Sequence, residues 1–196
     1  NIPSDQLVIH DDVTLRGLAP GEVQIKIAHS GVCHSDLSVM NGTIPQQVPC
    51  VLGHEGAGVV TDVGDGVTHV APGDHVIIAF SPPCGVCPFC TGRNQPNLCM
   101  TGMITMATSQ QFLRGDAVVG SMSGCGTFAE ERIVPGIAAI KIDDDIPLDV
   151  AALVGCGVTT GVGAAMNTAK ITPGSSVCII GVGGVGVAAI QGARIA

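Results

Sequence analysis

The chain has 196 residues, 46% of them hydrophobic and 12% charged, with neither Trp nor Tyr. That is enough apolar material for one large domain or one and a half ordinary ones. A formal net charge of -8 with only 8 Lys+Arg supplies no basic stripe, which argues against nucleic acid and against an anionic membrane surface as partners.

No element is legible up to about Ala19, and no secretory signal opens the chain, so a cytoplasmic location is expected. From about residue 21 to residue 135 short β-prone runs alternate with turn chemistry: "EVQIKIAHS", "AGVVTDVG", "DHVIIAF" and "FAEERIV", with Pro-Gly and Gly-Asp steps between them. This predicts a β-rich body. Within it, "SPPCGVCPFCTGRNQPNLCM" places Cys84, Cys87, Cys90 and Cys99 close together. Disulfides between neighbours at this spacing are strained and need an oxidising compartment. A bacterial ferredoxin run shares C-x2-C-x2-C, but there the fourth cysteine follows after three residues and precedes proline. Four thiolates around a structural zinc ion fit the spacing better. The stretch from 101 to 120, with Met103, Met106 and Arg114, reads as a loop.

After Ile146 the texture changes to "PLDVAALVGCGVTTGVGAAMNTA", which predicts buried helices starting near Pro147 and near Thr160. The segment 176–193 has the length and composition of a membrane span, but its clustered glycines read better as the strand "SVCII", with Cys178 inside it, followed by a tight turn and a helix start. Gly181, Gly183 and Gly186 form the G-x-G-x-x-G pattern that sets a pyrophosphate on a helix N-terminus. Two thiols and an imidazole stand apart from the four-cysteine cluster: Cys33, His54 and Cys156. That is a ligand set able to leave a fourth zinc position open.

"GHEGAGVVTDVGDGV", residues 53–67, resembles the zinc signature of the medium-chain alcohol dehydrogenases, with Gly53, His54, Glu55, Gly58, Gly64 and Val67 at the expected places. "GVCHSD" before it, the four-cysteine lobe after it, and then "GCGVTTG" and "GVGGVG" follow that family's order of motifs. The resemblance implies a β-rich GroES-like catalytic domain over residues 1–156. It is followed over residues 157–196 by the first βα unit of a doubly wound α/β (Rossmann) dinucleotide-binding domain, whose remainder is expected beyond Ala196.

The same resemblance implies reversible hydride transfer between a primary or secondary alcohol and a nicotinamide cofactor, NAD or NADP with NAD favoured, and two zinc ions per chain. Cys33, His54 and Cys156 would hold the catalytic zinc, with Glu55 as an exchange ligand and Asp36 orienting the histidine. Ser35 would take the alcohol's proton, His34 would meet the pyrophosphate, Thr160 and Val185 would press on the nicotinamide, and Phe80 would wall the pocket. The partners implied are a small-molecule alcohol or aldehyde and further copies of the chain, as a dimer or tetramer. Ser38 departs from the pattern, standing where several members carry a relay histidine, and the lobe is one residue longer than expected. A thiol-adduct formaldehyde dehydrogenase of the same family, a noncatalytic zinc scaffold and a ferredoxin-like carrier are the alternatives.

Overall fold

The computed structural model describes residue 4 and residues 6–108 and 110–196. The elements run β1 (Val13–Leu15), β2 (Glu22–Gly31), α1 (His34–Met40), β3 (Cys50–Val51), β4 (Glu55–Val63), β5 (His75–Ile78), α2 (Pro88–Thr91), α3 (Met100–Thr108), β6 (Phe112–Arg114), β7 (Ala117–Ser121), β8 (Glu131–Pro135) and β9 (Ala139–Lys141). The chain closes with α4 (Leu148–Ala152), α5 (Gly157–Gly163) and α6 (Gly184–Ile195).

Period-two patterning explains the larger sheet. In β2 Val23 and Ile25 point inward while Gln24 and Lys26 face outward, so the strand buries one face and pairs on both edges. The strand order is β8-β2-β4-β5-β9, all antiparallel. Val23, Ile25, Val60, Val76, Ile78 and Val134 close into one core with Met106 and Cys125. A smaller sheet, β1-β6-β7-β3, has one parallel pair, β3 with β7.

Toward the end of β2 the register against β4 shifts between Ile27 and His29, and such a shift re-aims the strand. Gly31 then lies beside Glu55, and Cys33 caps α1. On the far side, Ala151 and Ala152 of α4 pack on Ala57 of β4, which delivers Cys156, at the entry to α5, to the same place.

The expected helix near Pro147 is the short α4, broken by a 3₁₀ turn at Leu153–Gly155, and the helix expected near Thr160 starts at Gly157. The run "SVCII" is not a strand. No partner strand lies beside it among the described residues, and Cys178 and Ile180 are exposed rather than buried. Extended chain becomes a strand only when a neighbour satisfies its N–H and C=O groups. The loop expected at 101 to 120 is α3 and the β6–β7 hairpin. Among the described residues no single helix is long and apolar enough to cross a membrane.

Candidate active site and metal centres

Four ligand atoms converge where β2, β4 and α5 meet: one each from Cys33, His54, Glu55 and Cys156, all within 4.8 Å of one another. Asp36 fixes the frame around them. Its Oδ2 accepts the Cys33 N–H at 3.0 Å and its Oδ1 accepts the Gly53 N–H at 2.9 Å, so one carboxylate ties the backbones next to two ligands. Oδ1 also lies 3.4 Å from His54 Nδ1, a charge contact rather than a formed hydrogen bond, and Nδ1 has no other partner. The Asp36 carboxylate raises the imidazole above its ordinary pKa, against the pull of burial.

Glu55 is held as tightly. Its Oε1 accepts the Gly157 N–H at 3.2 Å, and a Cβ on Gly31 would collide with its Oε2. Burial pushes the Cys156 thiol up to about 12, helped by the Cys33 and Glu55 charges. Burial also raises Cys33, but the Ser35 N–H and hydroxyl and the His54 ring outweigh it and bring that thiol below its ordinary value. Acidic groups so close together cannot all ionise without a cation among them. The donor set therefore fits a zinc ion: soft sulfurs, one imidazole, and a carboxylate able to enter or leave.

The second cluster is made by Cys84, Cys87, Cys90 and Cys99. Cys87 Sγ lies 3.5 Å from Cys90 Sγ and 3.8 Å from Cys99 Sγ. Zinc–sulfur bonds in a tetrahedron give edges of about 3.8 Å, so the pocket suits a single ion and leaves no room for a multi-iron cluster. All nine cysteines are free thiols. Backbone N–H groups reach the sulfurs: Cys84 to Cys99 at 3.2 Å, and Cys87 to Cys84 and Gly102 to Cys99 at 3.3 Å each. The Val86 and Cys87 N–H groups pull Cys84 down to about 6, while desolvation among the other thiols pushes Cys90 up to about 11.

A cavity of about 220 Å³ opens over the first cluster, lined by Ser35, His54 and Cys156 with Val39, Ile44, Gln46, Phe80, Met122 and Ser123. Ser35 Oγ is 3.7 Å from Cys33 Sγ, and the Phe80 ring stands edge-on to His54 with centroids 6.1 Å apart. Met103, Met106 and Arg114 do not line it. Met106 is core, Met103 is exposed, and Arg114 pairs with Asp12 at 2.7 Å. Sequence reasoning missed Gln46, Met122 and Ser123, which lie in stretches with no motif of their own.

The glycine turn ahead of α6 is tight. Gly181 adopts φ +96°, Gly183 caps the helix with open space where a Cβ would be, and a Cβ on Gly186 would strike the Gly181 carbonyl. α6 packs closely against α5, with Gly161 facing the Val185 carbonyl. Thr160 and Val185 are exposed near this contact, and His34 is exposed on α1 with its Nδ1 3.3 Å from Ser38 Oγ.

The alcohol dehydrogenase GroES-like domain model matches residues 19–144. An S-(hydroxymethyl)glutathione dehydrogenase of Photobacterium damsela subsp. piscicida is 47% identical over 182 residues, covering 89% of this chain and 49% of the relative. The chain thus spans about half the length of the curated relatives it matches. Among solved structures, an alcohol dehydrogenase zinc-binding domain protein from Burkholderia ambifaria superposes with TM-score 0.85 at 33% identity, covering 93% of this chain and 51% of that one. Benzyl alcohol dehydrogenase from Acinetobacter calcoaceticus superposes with TM-score 0.82 at 31% identity, again covering 93% and 51%. The matched domain, the order of its ligands and the likeness of the whole visible chain lead to one conclusion: this chain belongs to the zinc-dependent medium-chain alcohol dehydrogenase family.

Proposed function

We propose that the full-length protein is a zinc- and NAD-dependent dehydrogenase that interconverts a primary or secondary alcohol and its aldehyde or ketone. Residues 1–156 form its catalytic GroES-like unit and residues 157–196 begin its dinucleotide unit. The observation that carries this reading is the convergence of Cys33, His54, Glu55 and Cys156 under a cavity that holds Ser35. Zinc bound there supplies a Lewis acid for the alcohol oxygen, and NAD supplies the hydride acceptor.

The chain's own residues do the rest. Cys33, His54 and Cys156 bind the ion, and Glu55, clamped by Gly157, stands ready to exchange with a ligand. Asp36 orients His54. The Ser35 hydroxyl, inside the cavity, accepts the alcohol proton and passes it toward solvent. Phe80, Val39, Ile44 and Met122 exclude water from the reacting carbon. His34 and the turn Gly181, Gly183 and Gly186 receive the pyrophosphate, and Thr160 and Val185 contact the nicotinamide. Cys84, Cys87, Cys90 and Cys99 hold a second, structural zinc ion. The protein works in the cytoplasm as a dimer or tetramer.

A second reading, oxidation of a formaldehyde–glutathione adduct, is favoured by the names of the curated relatives. Both readings use the same ligand cluster and the same cavity, and they differ in the substrate offered. The deciding experiment measures zinc content and NAD reduction by the full-length protein with simple alcohols, and with formaldehyde in the presence and absence of glutathione. Two zinc ions per chain and turnover of simple alcohols without glutathione are expected. Turnover only with glutathione would move the assignment to the adduct, and zinc without turnover of either would leave a scaffold.

A further inference from the structure

Arg132 heads the molecule's fully buried side chains by size. It stands in β8 opposite Ile25 of β2, with its guanidinium carbon 4.7 Å from the centre of the Phe112 ring. A buried cation is costly, and here only part of that cost is offset, by the ring and by one nitrogen. Nη2 donates to the Gly124 carbonyl at 2.6 Å and to Ser121 Oγ at 3.0 Å, whereas Nε and Nη1 have no partner. Stability alone would be served as well by an apolar side chain of similar length. Both bonds that Arg132 does make go to the two sides of one short segment, Met122 and Ser123.

That segment is strained and confined. Ser123 adopts φ 50°, ψ 25°, in the left-handed region that residues with a Cβ avoid. Gly124 follows at φ +70°, and a Cβ on it would run into the backbone of Met106 in α3. From Ser121 to Thr127 every residue is buried except Ser123. Met122 and Ser123 are also the residues of this stretch that line the cavity over the first ligand cluster.

We infer that Arg132 is a positioning residue for the substrate cavity: it grips Ser121 and Gly124, fixes Met122 and Ser123 between them as one wall, and so sets the Ser123 hydroxyl as a specificity-determining contact. The inference rests on the reading of this cavity as an alcohol site. Val39, Ile44, Phe80 and Met122 make the lining largely apolar, so a fixed hydroxyl on it selects alcohols that carry a second hydrogen-bonding group.

The test uses the full-length protein and its Arg132→Met, Arg132→Lys and Ser123→Ala variants, with two readouts. Hydrogen exchange by mass spectrometry over residues 119–127 reads the turn itself. Exchange there should quicken at least about tenfold in Arg132→Met, recover in part in Arg132→Lys, and stay as wild type in Ser123→Ala. Kinetics with benzyl alcohol and 4-hydroxybenzyl alcohol read the cavity. Arg132→Met and Ser123→Ala should raise KM for the hydroxylated alcohol about tenfold more than they raise it for benzyl alcohol, the size of one lost hydrogen bond. Unchanged exchange over the turn overturns the positioning role. So does loosening spread evenly over β2, β4 and β8 with KM unmoved, the mark of a purely structural arginine. Oxidation of neither alcohol by the wild type would sink the alcohol reading of the cavity, while the exchange readout would still decide whether Arg132 holds the turn.

Discussion

Cys156 shows how much a single atom is asked to do. It enters the site from a different element than Cys33 and His54, is only half-buried, and belongs to no core cluster. Exchanging its sulfur for oxygen should therefore touch chemistry and not fold. In the full-length protein Cys156→Ser is expected to cut turnover at least about a hundredfold, since even partners behind the ligands cost 10–100-fold. The thermal midpoint should hold, and zinc should fall from two ions per chain to one. Full turnover in that variant would overturn the ligand assignment. The structure brings Cys33, His54 and Cys156 together, and that the three share one site was legible in the sequence from the motifs around them. Arg132 was not: a lone arginine after two glutamates reads as solvated, and only the packing shows that it turns inward.

At the level of elements, the lobe from Cys84 to Cys99 contrasts with the sheets. Cys99 is its only buried residue, and α2 buries none. Little apolar packing holds the lobe in shape, so a zinc ion bound by its four thiols would contribute much of its stability. Cys90→Ser should lose that zinc and open the segment between residues 84 and 99 to limited proteolysis, while the strands of the larger sheet stay protected. An uncut lobe at unchanged zinc content would refute this. The sheets were legible from alternation, as in Val23 and Ile25. The short helices α1 and α3 were not, because α3 buries only Gly102 and Met106 and carries no helical stripe. The "SVCII" run failed as a strand for the opposite reason: its composition is right, but a strand needs a neighbour.

For the molecule as a whole, Glu22 is a junction between the two sheets. Arg16 donates to it twice, at 2.9 and 2.6 Å, Ala19 N–H at 3.0 Å, and Gln111, just before β6, at 3.5 Å. Burial pushes the Glu22 carboxyl up, but the Arg16 guanidinium and the Ala19 N–H outweigh it and hold it below 4.5. A depressed carboxyl contributes stability that is complete above its unfolded value and fades as pH falls through the folded one. Glu22→Gln should therefore melt below wild type at pH 7. The gap should close as pH drops below 4.5; thermal melts from pH 3 to 7 would show it, and a pH-independent gap would remove Glu22 from this role.

The two ligand clusters also differ in what remains of them without an ion. Asp36 ties Cys33 and Gly53 together through the backbone, and both it and His54 are 3% exposed, so the first site is a mould that the fold casts by itself. The second is braced mainly by N–H groups of its own and the adjoining segment, reaching the sulfurs. A first site emptied of zinc should therefore refill on soaking, whereas an emptied lobe would have to find its shape again, so prolonged loss of metal should leave its mark there first.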